Sequence, residues 1–268
     1  MDNRPIGIFD SGVGGLSAVR ALMRRCPNES ILYLGDEARM PYGTRDRETL
    51  LRYAREDLAF VLRQDVKAVL VACGTVSAAA LDDLRRECPV PILGVVEPAA
   101  AEAARATRNG KIAILGTGAT TRSGAFPRAI RRIRPGAETL GVPCPMFVPL
   151  VENGYIRPGD PAATLFAEEY LAPVKAFGAD VIILGCTHFP VLKATIGQLV
   201  PDTLLIDTSK SAVAALEDLL RGQDLLAGNS GEPSQIYCVT GGKEGFEEVA
   251  ERFLGDRFDH EVEVVSLS

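Results

Sequence analysis

Short apolar runs alternate with helical patterns from one end of the chain to the other. Residues 6–9, 31–34, 68–72, 92–95, 111–115, 181–184, 204–206 and 235–239 predict strands. Residues 16–25, 46–63, 97–106, 123–133, 162–177, 191–199 and 210–220 predict helices. In the second of these, Leu50, Ala54, Leu58, Val61 and Leu62 share one face, the spacing of an amphipathic helix. The run 68–72 has no polar alternation, as expected of a strand covered on both faces. Strand-then-helix repetition of this kind predicts an α/β fold, with mainly parallel sheets flanked by helices. An internal break is predicted near Val96-Glu97-Pro98, and 222–234 reads as the loosest stretch.

The pattern also repeats. Val69-Leu70-Val71-Ala72-Cys73-Gly74-Thr75 matches Ile182-Ile183-Leu184-Gly185-Cys186-Thr187. Each is an apolar strand ending in Cys, with Thr close behind and then a helix. Upstream of each lies another apolar strand that ends in a small, hydroxyl-rich loop. The loops are Asp10-Ser11-Gly12-Val13-Gly14-Gly15 and Gly116-Thr117-Gly118-Ala119-Thr120-Thr121. Two matched elements in the same order, at similar separation, point to two similar halves. Ligands of open α/β sheets bind outside the carboxyl ends of the strands. Halves that face one another bring all four loops to one cleft, with two thiols, Asp10 and His188 on its walls.

A cysteine between a strand end and a helix start lies near free N–H groups and a partial positive charge, which favours the thiolate. Thr75 and Thr187 are placed to cap those helices or to donate to a carboxylate. A lone cysteine is more often a small buried residue. The matching of Cys73 with Cys186 is what shifts the reading to chemistry, and Cys26, Cys88, Cys144 and Cys238 read as structural. Two thiols on opposite walls suit proton abstraction from one face of a stereogenic carbon and reprotonation from the other. One must be thiolate while the other is thiol, and an ordinary thiol pKa of about 8.5 can be tuned to that task.

Composition narrows the setting. Of 268 residues 47% are hydrophobic, enough for a substantial core, and 29 Lys+Arg stand against 35 Asp+Glu. A mildly acidic chain argues against nucleic-acid binding, and the runs Arg24-Arg25 and Arg131-Arg132 read as solvated helix faces. No apolar run reaches the roughly 18–20 residues of a membrane span, and Met1-Asp2-Asn3-Arg4-Pro5 has no signal-like apolar core. A cytoplasmic enzyme with six reduced cysteines is therefore expected. Without a C-x-x-C pair, and with only His188 and His260, no metal site is expected.

At this point the chain resembles the glutamate racemases of the cofactor-independent aspartate/glutamate racemase superfamily. The likeness runs through Gly7-Ile8-Phe9-Asp10-Ser11-Gly12-Val13-Gly14-Gly15-Leu16, Tyr33-Leu34-Gly35-Asp36, Ala38-Arg39 and Pro41-Tyr42-Gly43. It continues through Ala72-Cys73, Thr75, Ser77, Gly116-Thr117, Thr120 and Phe147-Val148-Pro149-Leu150-Val151-Glu152, and closes on Gly185-Cys186-Thr187-His188-Phe189-Pro190. The resemblance implies interconversion of L- and D-glutamate without pyridoxal phosphate, metal or other cofactor, supplying D-glutamate for bacterial peptidoglycan. It implies that Cys73 takes the proton from D-glutamate and Cys186 from L-glutamate, with Asp10 assisting Cys73, and Glu152 and His188 assisting Cys186. Asp10, Ser11, Pro41, Tyr42, Gly43, Gly74, Thr75, Thr117, Thr120 and Thr187 would hold the substrate by side chain or backbone. Two α/β lobes are implied, 1–96 with 209–268 and 97–208, with the active site in the cleft between them, in a homodimer.

One departure stands beside Cys73. The family carries Asn there and this chain carries Gly74. Losing a hydrogen bond to a charged group costs about 1.5–3 kcal/mol, which Gly74→Asn is expected to restore.

Each site residue has a plainer reading. Asp10 could cap a turn, His188 end a helix, Glu152 lie in a surface loop, and Pro41-Tyr42-Gly43 form a simple turn. Gly12-Val13-Gly14 after a strand, with Asp36 ending the next, suggests a nucleotide-dependent enzyme, although Ser17 stands where the third glycine of that motif belongs. A two-lobed binding protein without chemistry would also present such a cleft, but it needs no thiol on each wall. A racemase of aspartate would differ only in the length of its substrate.

Overall fold

The computed structural model describes residues 1–228, 232–255 and 257–267. Its strands are β1 (Ile6–Asp10), β2 (Ile31–Gly35), β3 (Ala68–Val71), β4 (Ile92–Gly94), β5 (Lys111–Gly116), β6 (Glu138–Pro143), β7 (Val181–Leu184), β8 (Leu204–Asp207), β9 (Gln235–Val239) and β10 (Val262–Val264). They form two sheets, ordered β10-β9-β2-β1-β3-β4 and β6-β5-β7-β8, with every pairing parallel. Successive residues of a strand face opposite sides. Accordingly Ile6 and Ile8 join one apolar cluster and Phe9 joins another on the far face of β1. The first cluster continues into the second sheet through Ala113, Leu115, Ile182 and Leu184, so one core runs through both halves.

The repeat seen in the sequence is a repeat of topology. β2-β1-β3-β4 and β6-β5-β7-β8 have the same order, and in each the hydroxyl-rich loop and the cysteine follow neighbouring strands. The helix Val96–Ala106 leads from β4 in the larger sheet to β5 in the smaller. After β8 the chain runs through the helix Thr208–Gly222 back to the larger sheet, where β9 pairs with β2.

Most differences from the predicted elements have local causes. The helix expected over 123–133 is two helices, Gly118–Ser123 and Ala125–Ile133, because Gly124 takes the left-handed conformation (φ 65°) between them. The helix expected over 191–199 opens as a 3₁₀ turn, Phe189–Leu192, before Lys193–Leu199. Glu152, expected in a loop, ends the helix Phe147–Glu152. Pro149 argues against a helix there, but it occupies the first turn, where its missing N–H costs no hydrogen bond. The sequence pattern does not predict β6, β10 or the helix Lys243–Leu254: β6 and β10 are edge strands, and β6 contains Gly141 and Pro143. Of the stretch that reads as loosest, 222–234, residues 229–231 lie outside the described residues. Among the described residues no helix is long and apolar enough to cross a membrane.

Helix ends are capped where the sequence offers oxygen. Asp160 accepts from the N–H groups of Ala162 and Ala163 at the start of Pro161–Phe177. Asp160→Ala should lower stability by about 1 kcal/mol, seen as a reduced melting temperature, because two N–H groups lose their acceptor.

Candidate active site

The carboxyl ends of β1, β3, β5 and β7 converge on a cavity of about 290 Å³ lined by both cysteines. Ser11, Pro41, Tyr42, Gly43, Gly74, Thr75, Thr117, Glu152, Thr187 and His188 share its wall. Asp10 and Thr120 are buried just behind it rather than on it. Met40 and Pro145, which no sequence motif singles out, supply an apolar wall together with Val148 and Pro149. No Lys or Arg lines the cavity among the described residues, so N–H groups and hydroxyls must meet an anionic ligand.

Around Cys73 the surroundings are negative. Its Sγ lies 3.7 Å from the Ser11 hydroxyl, to which it donates. Burial pushes the Cys73 thiol up to about 12, and the neighbouring Asp10 adds to this, against the N–H of Val76 and the hydrogen bond with Ser11. The helix-end environment expected to favour a thiolate is thus outweighed by desolvation. Burial likewise raises Asp10 to about 6, opposed by the charge of His188 and hydrogen bonds from Gly15, Ser11 and Cys73. Asp10 Oδ2 accepts from the Gly15 N–H at 2.9 Å, whereas Oδ1 is buried without a partner.

Around Cys186 they are positive. Its Sγ lies 3.8 Å from His188 Nδ1, and His188 Nε2 lies 2.8 Å from Glu152 Oε1. Burial opposes the imidazolium, but the hydrogen bonds to Cys186 and Glu152 outweigh it and push His188 up to about 10. The backbone carbonyl of Glu152 accepts from Arg252, and the ring of Phe253 meets that of His188 at 5.1 Å and 87°. Arg252 and Phe253 lie in the unpredicted helix Lys243–Leu254, so nothing in the sequence motifs marks them.

Thr75 and Thr187 do not cap helices. The Thr75 hydroxyl reaches across to Thr117 at 3.0 Å, which in turn meets Thr120 at 3.0 Å, tying the halves together. Thr187 lies 3.4 Å from His188 Nδ1. Tyr42 lines the cavity, but its hydroxyl is engaged elsewhere. Its hydroxyl donates to Asp36 and, at 3.1 Å, to Asp57, both fully buried, while Arg39 also binds both carboxylates. This network fixes the segment 40–43 against the cavity. At Gly14 of the nucleotide-like turn the other half closes in: a Cβ there would lie 2.4 Å from Thr187 Oγ1 and 2.5 Å from the His188 ring.

The match to known proteins is decisive. Residues 10–216 fit the Asp/Glu/hydantoin racemase family model. The chain belongs to this racemase family. It is 41% identical over 255 residues to a glutamate racemase of Geobacter metallireducens, covering 95% of this chain and 94% of that one. Its fold matches a glutamate racemase of Francisella tularensis crystallised with D-glutamate, at TM-score 0.92 and 36% identity over 100% of this chain and 99% of the other. A glutamate racemase of Thermus thermophilus in complex with β-chloro-D-alanine matches at TM-score 0.89 and 44% identity, again over 100% and 99%. This family member is therefore an isomerase of amino acids with two parallel sheets flanked by helices.

Gly74 acquires a reason in this setting. A Cβ there would lie 2.4 Å from the carbonyl oxygen of Gly185, the residue before Cys186. The missing side chain lets the two cysteine-bearing segments touch backbone to backbone. This contact argues against the restoration expected of Gly74→Asn: the variant should press the halves apart, cost about 1–3 kcal/mol of stability and lower kcat/KM. Chemical denaturation and steady-state kinetics check both effects.

Asp10 gives a pH signature. Its folded pKa of about 6 lies above the ordinary value of 3.8, so its contribution to stability is present below the latter and is lost as pH rises through the former. Asp10→Asn removes that dependence. Relative to the parent, the variant should be more stable at pH 8 than at pH 4 by about 3 kcal/mol at most, at 1.36 kcal/mol per pH unit. Denaturant unfolding at the two pH values reads the difference.

Proposed function

We propose that this enzyme interconverts L- and D-glutamate by proton transfer between Cα and its own two thiols, without an added cofactor. The observation that carries the reading is the pair Cys73 and Cys186 on the wall of one cavity, in surroundings of opposite charge. The Asp10 carboxyl holds a proton on Cys73. The imidazolium of His188, oriented by Glu152, stabilises negative charge on Cys186 Sγ.

With L-glutamate bound, the Cys186 thiolate takes the Cα proton and becomes a thiol. The electron pair left on Cα receives the Cys73 S–H proton on the opposite face, giving D-glutamate and a Cys73 thiolate. For D-glutamate the roles reverse. His188 and Asp10 carry protons between the sulfurs and solvent to restore the starting state. The apolar wall of Met40, Pro145, Val148 and Pro149 excludes water around the developing carbanion, which strengthens every charge interaction there. The hydroxyls of Ser11, Thr75, Thr117 and Thr187, with backbone N–H groups of 43 and 74, hold the carboxylates, and Thr120 supports Thr117 from behind. The glutamate racemases that this chain resembles support glutamate as substrate. A bacterial supply of D-glutamate for peptidoglycan, in the reducing cytoplasm, is the role that fits.

Circular dichroism of L- or D-glutamate with purified enzyme and no cofactor should decay to the racemic value, with lower kcat/KM for either aspartate enantiomer. Cys73→Ala and Cys186→Ala should each reduce racemisation by about 10³-fold, within the range for loss of a proton-transfer group. Either variant racemising near the parent rate would contradict the two-thiol reading.

A further inference from the structure

One turnover leaves each sulfur in the opposite protonation state, and the two walls differ in how a proton can reach them. On the Cys186 side the path is visible. His188 is buried, but its Nε2 lies 2.8 Å from Glu152, whose side chain is 23% exposed. On the Cys73 side Asp10 is fully buried, and its Oδ1 has no partner among the described residues. Asp10 therefore needs a second group to exchange protons with solvent.

Glu37 is placed for that task. It opens the 3₁₀ turn Glu37–Arg39 just after β2, and its side chain is half-buried. A Cβ on Gly12 would lie 3.1 Å from Glu37 Oε1 and 2.5 Å from Met40 Sδ, so the carboxyl reaches the turn that follows Asp10. Gly12 and Met40 themselves line the substrate cavity. Glu37 Oε1 is buried with no hydrogen-bond partner among the described residues, whereas Arg39, Tyr42 and Thr240 all engage the adjacent Asp36. The titratable groups that face Glu37 are Asp10 from β1, Tyr33 from β2, Asp36 just after it, Glu152 from the helix Phe147–Glu152 and His188 from the turn after β7. Burial pushes Glu37 up to about 7, with Glu152 and Asp10 adding to this and His188 opposing it. A carboxyl in that range both gives and takes protons near neutral pH. Tyr33 does not compete for the role. Burial, and then the charges of Asp10 and Glu37, hold its hydroxyl well above the usual range, and it donates to the Gly12 carbonyl.

We propose that Glu37 carries protons between Asp10 and solvent, the counterpart on the Cys73 wall of Glu152 on the Cys186 wall. The inference rests on the two-thiol reading. After conversion of L-glutamate, Cys73 is a thiolate and Cys186 a thiol. The Asp10 carboxyl gives its proton to Cys73 Sγ. Glu37 returns one to Asp10 through water admitted as product leaves, and regains one from solvent. The Cys186 proton departs through His188 and Glu152, so one proton enters as one leaves. In the other direction each transfer reverses. Glu37 touches neither sulfur nor substrate and acts only through Asp10.

Steady-state kinetics of Glu37→Gln tests the role. The amide keeps the shape and removes a charge that burial disfavours, so the fold should hold, which thermal melting checks. A slow reset after product release limits kcat but not kcat/KM, so kcat should fall about tenfold while kcat/KM changes by less than about twofold. Imidazole, a small proton carrier, should raise kcat of the variant at fixed pH and ionic strength and leave the parent unchanged. Glu37→Asp, which keeps a carboxyl, should show a higher kcat than Glu37→Gln without imidazole. Three results would overturn the proposal: an unchanged kcat in Glu37→Gln, equal losses in kcat and kcat/KM, or a lowered kcat that imidazole does not raise. Activity surviving in Cys73→Ala or Cys186→Ala would instead overturn the two-thiol reading, whatever the Glu37 variants show.

Discussion

Gly74, Gly14 and Gly43 stand where the strand ends of the two sheets meet, and at each a Cβ would collide with the opposite half. The obstacles are the Gly185 carbonyl at 2.4 Å, Thr187 and His188 at 2.4 and 2.5 Å, and Thr117 at 2.9 Å. This close backbone approach is the constraint on which the rest depends. It brings the loops after β1, β3, β5 and β7 around a single cavity, and it lets hydroxyls such as Thr75 and Thr117 bond directly across the seam. Opening the halves would hydrate both cysteines and weaken the charge asymmetry between them.

That asymmetry is what turns two similar halves into unlike walls. Duplicated topology supplies a cysteine at the end of equivalent strands, and neighbouring residues then separate their roles. Cys73 lies beside a buried carboxyl with one unpartnered oxygen; Cys186 lies beside an imidazole held by Glu152. Keeping Asp10 buried weakens the fold at neutral pH, because burial penalises its charged form.

Much of this is legible in the sequence because it is local. Apolar strands bounded by loops give the parallel α/β order, and two Cys-Thr strand ends give the repeat. His188 lies two residues from Cys186, whereas Asp10 and Glu152 enter through motifs that resemble the racemase family. What escapes the sequence is contact between distant segments. Nothing in the neighbourhood of Gly74 reveals a carbonyl from residue 185 pressing on it, so the glycine reads as a lost hydrogen bond instead of a point of contact. The Tyr42 hydroxyl is turned away from the cavity by Asp36 and Asp57, the latter in a helix that reads only as amphipathic. Arg252 and Phe253 lie a hundred residues from Glu152, on a helix whose pattern does not stand out. Burial also reverses a local inference: a helix start favours a thiolate, yet Cys73 is held as thiol.

The central claim is that the two cysteines act on opposite faces of the same carbon. The most direct measurement starts from L-glutamate in deuterated water and stops after a small fraction of one conversion, with mass spectrometry of each enantiomer after chiral separation. Two separate proton carriers require the D-glutamate formed to carry deuterium at Cα while the remaining L-glutamate keeps protium. Protium retained in the D-glutamate would mean that a single group removes and returns the proton, and would contradict the assignment of Cys73 and Cys186 to opposite faces.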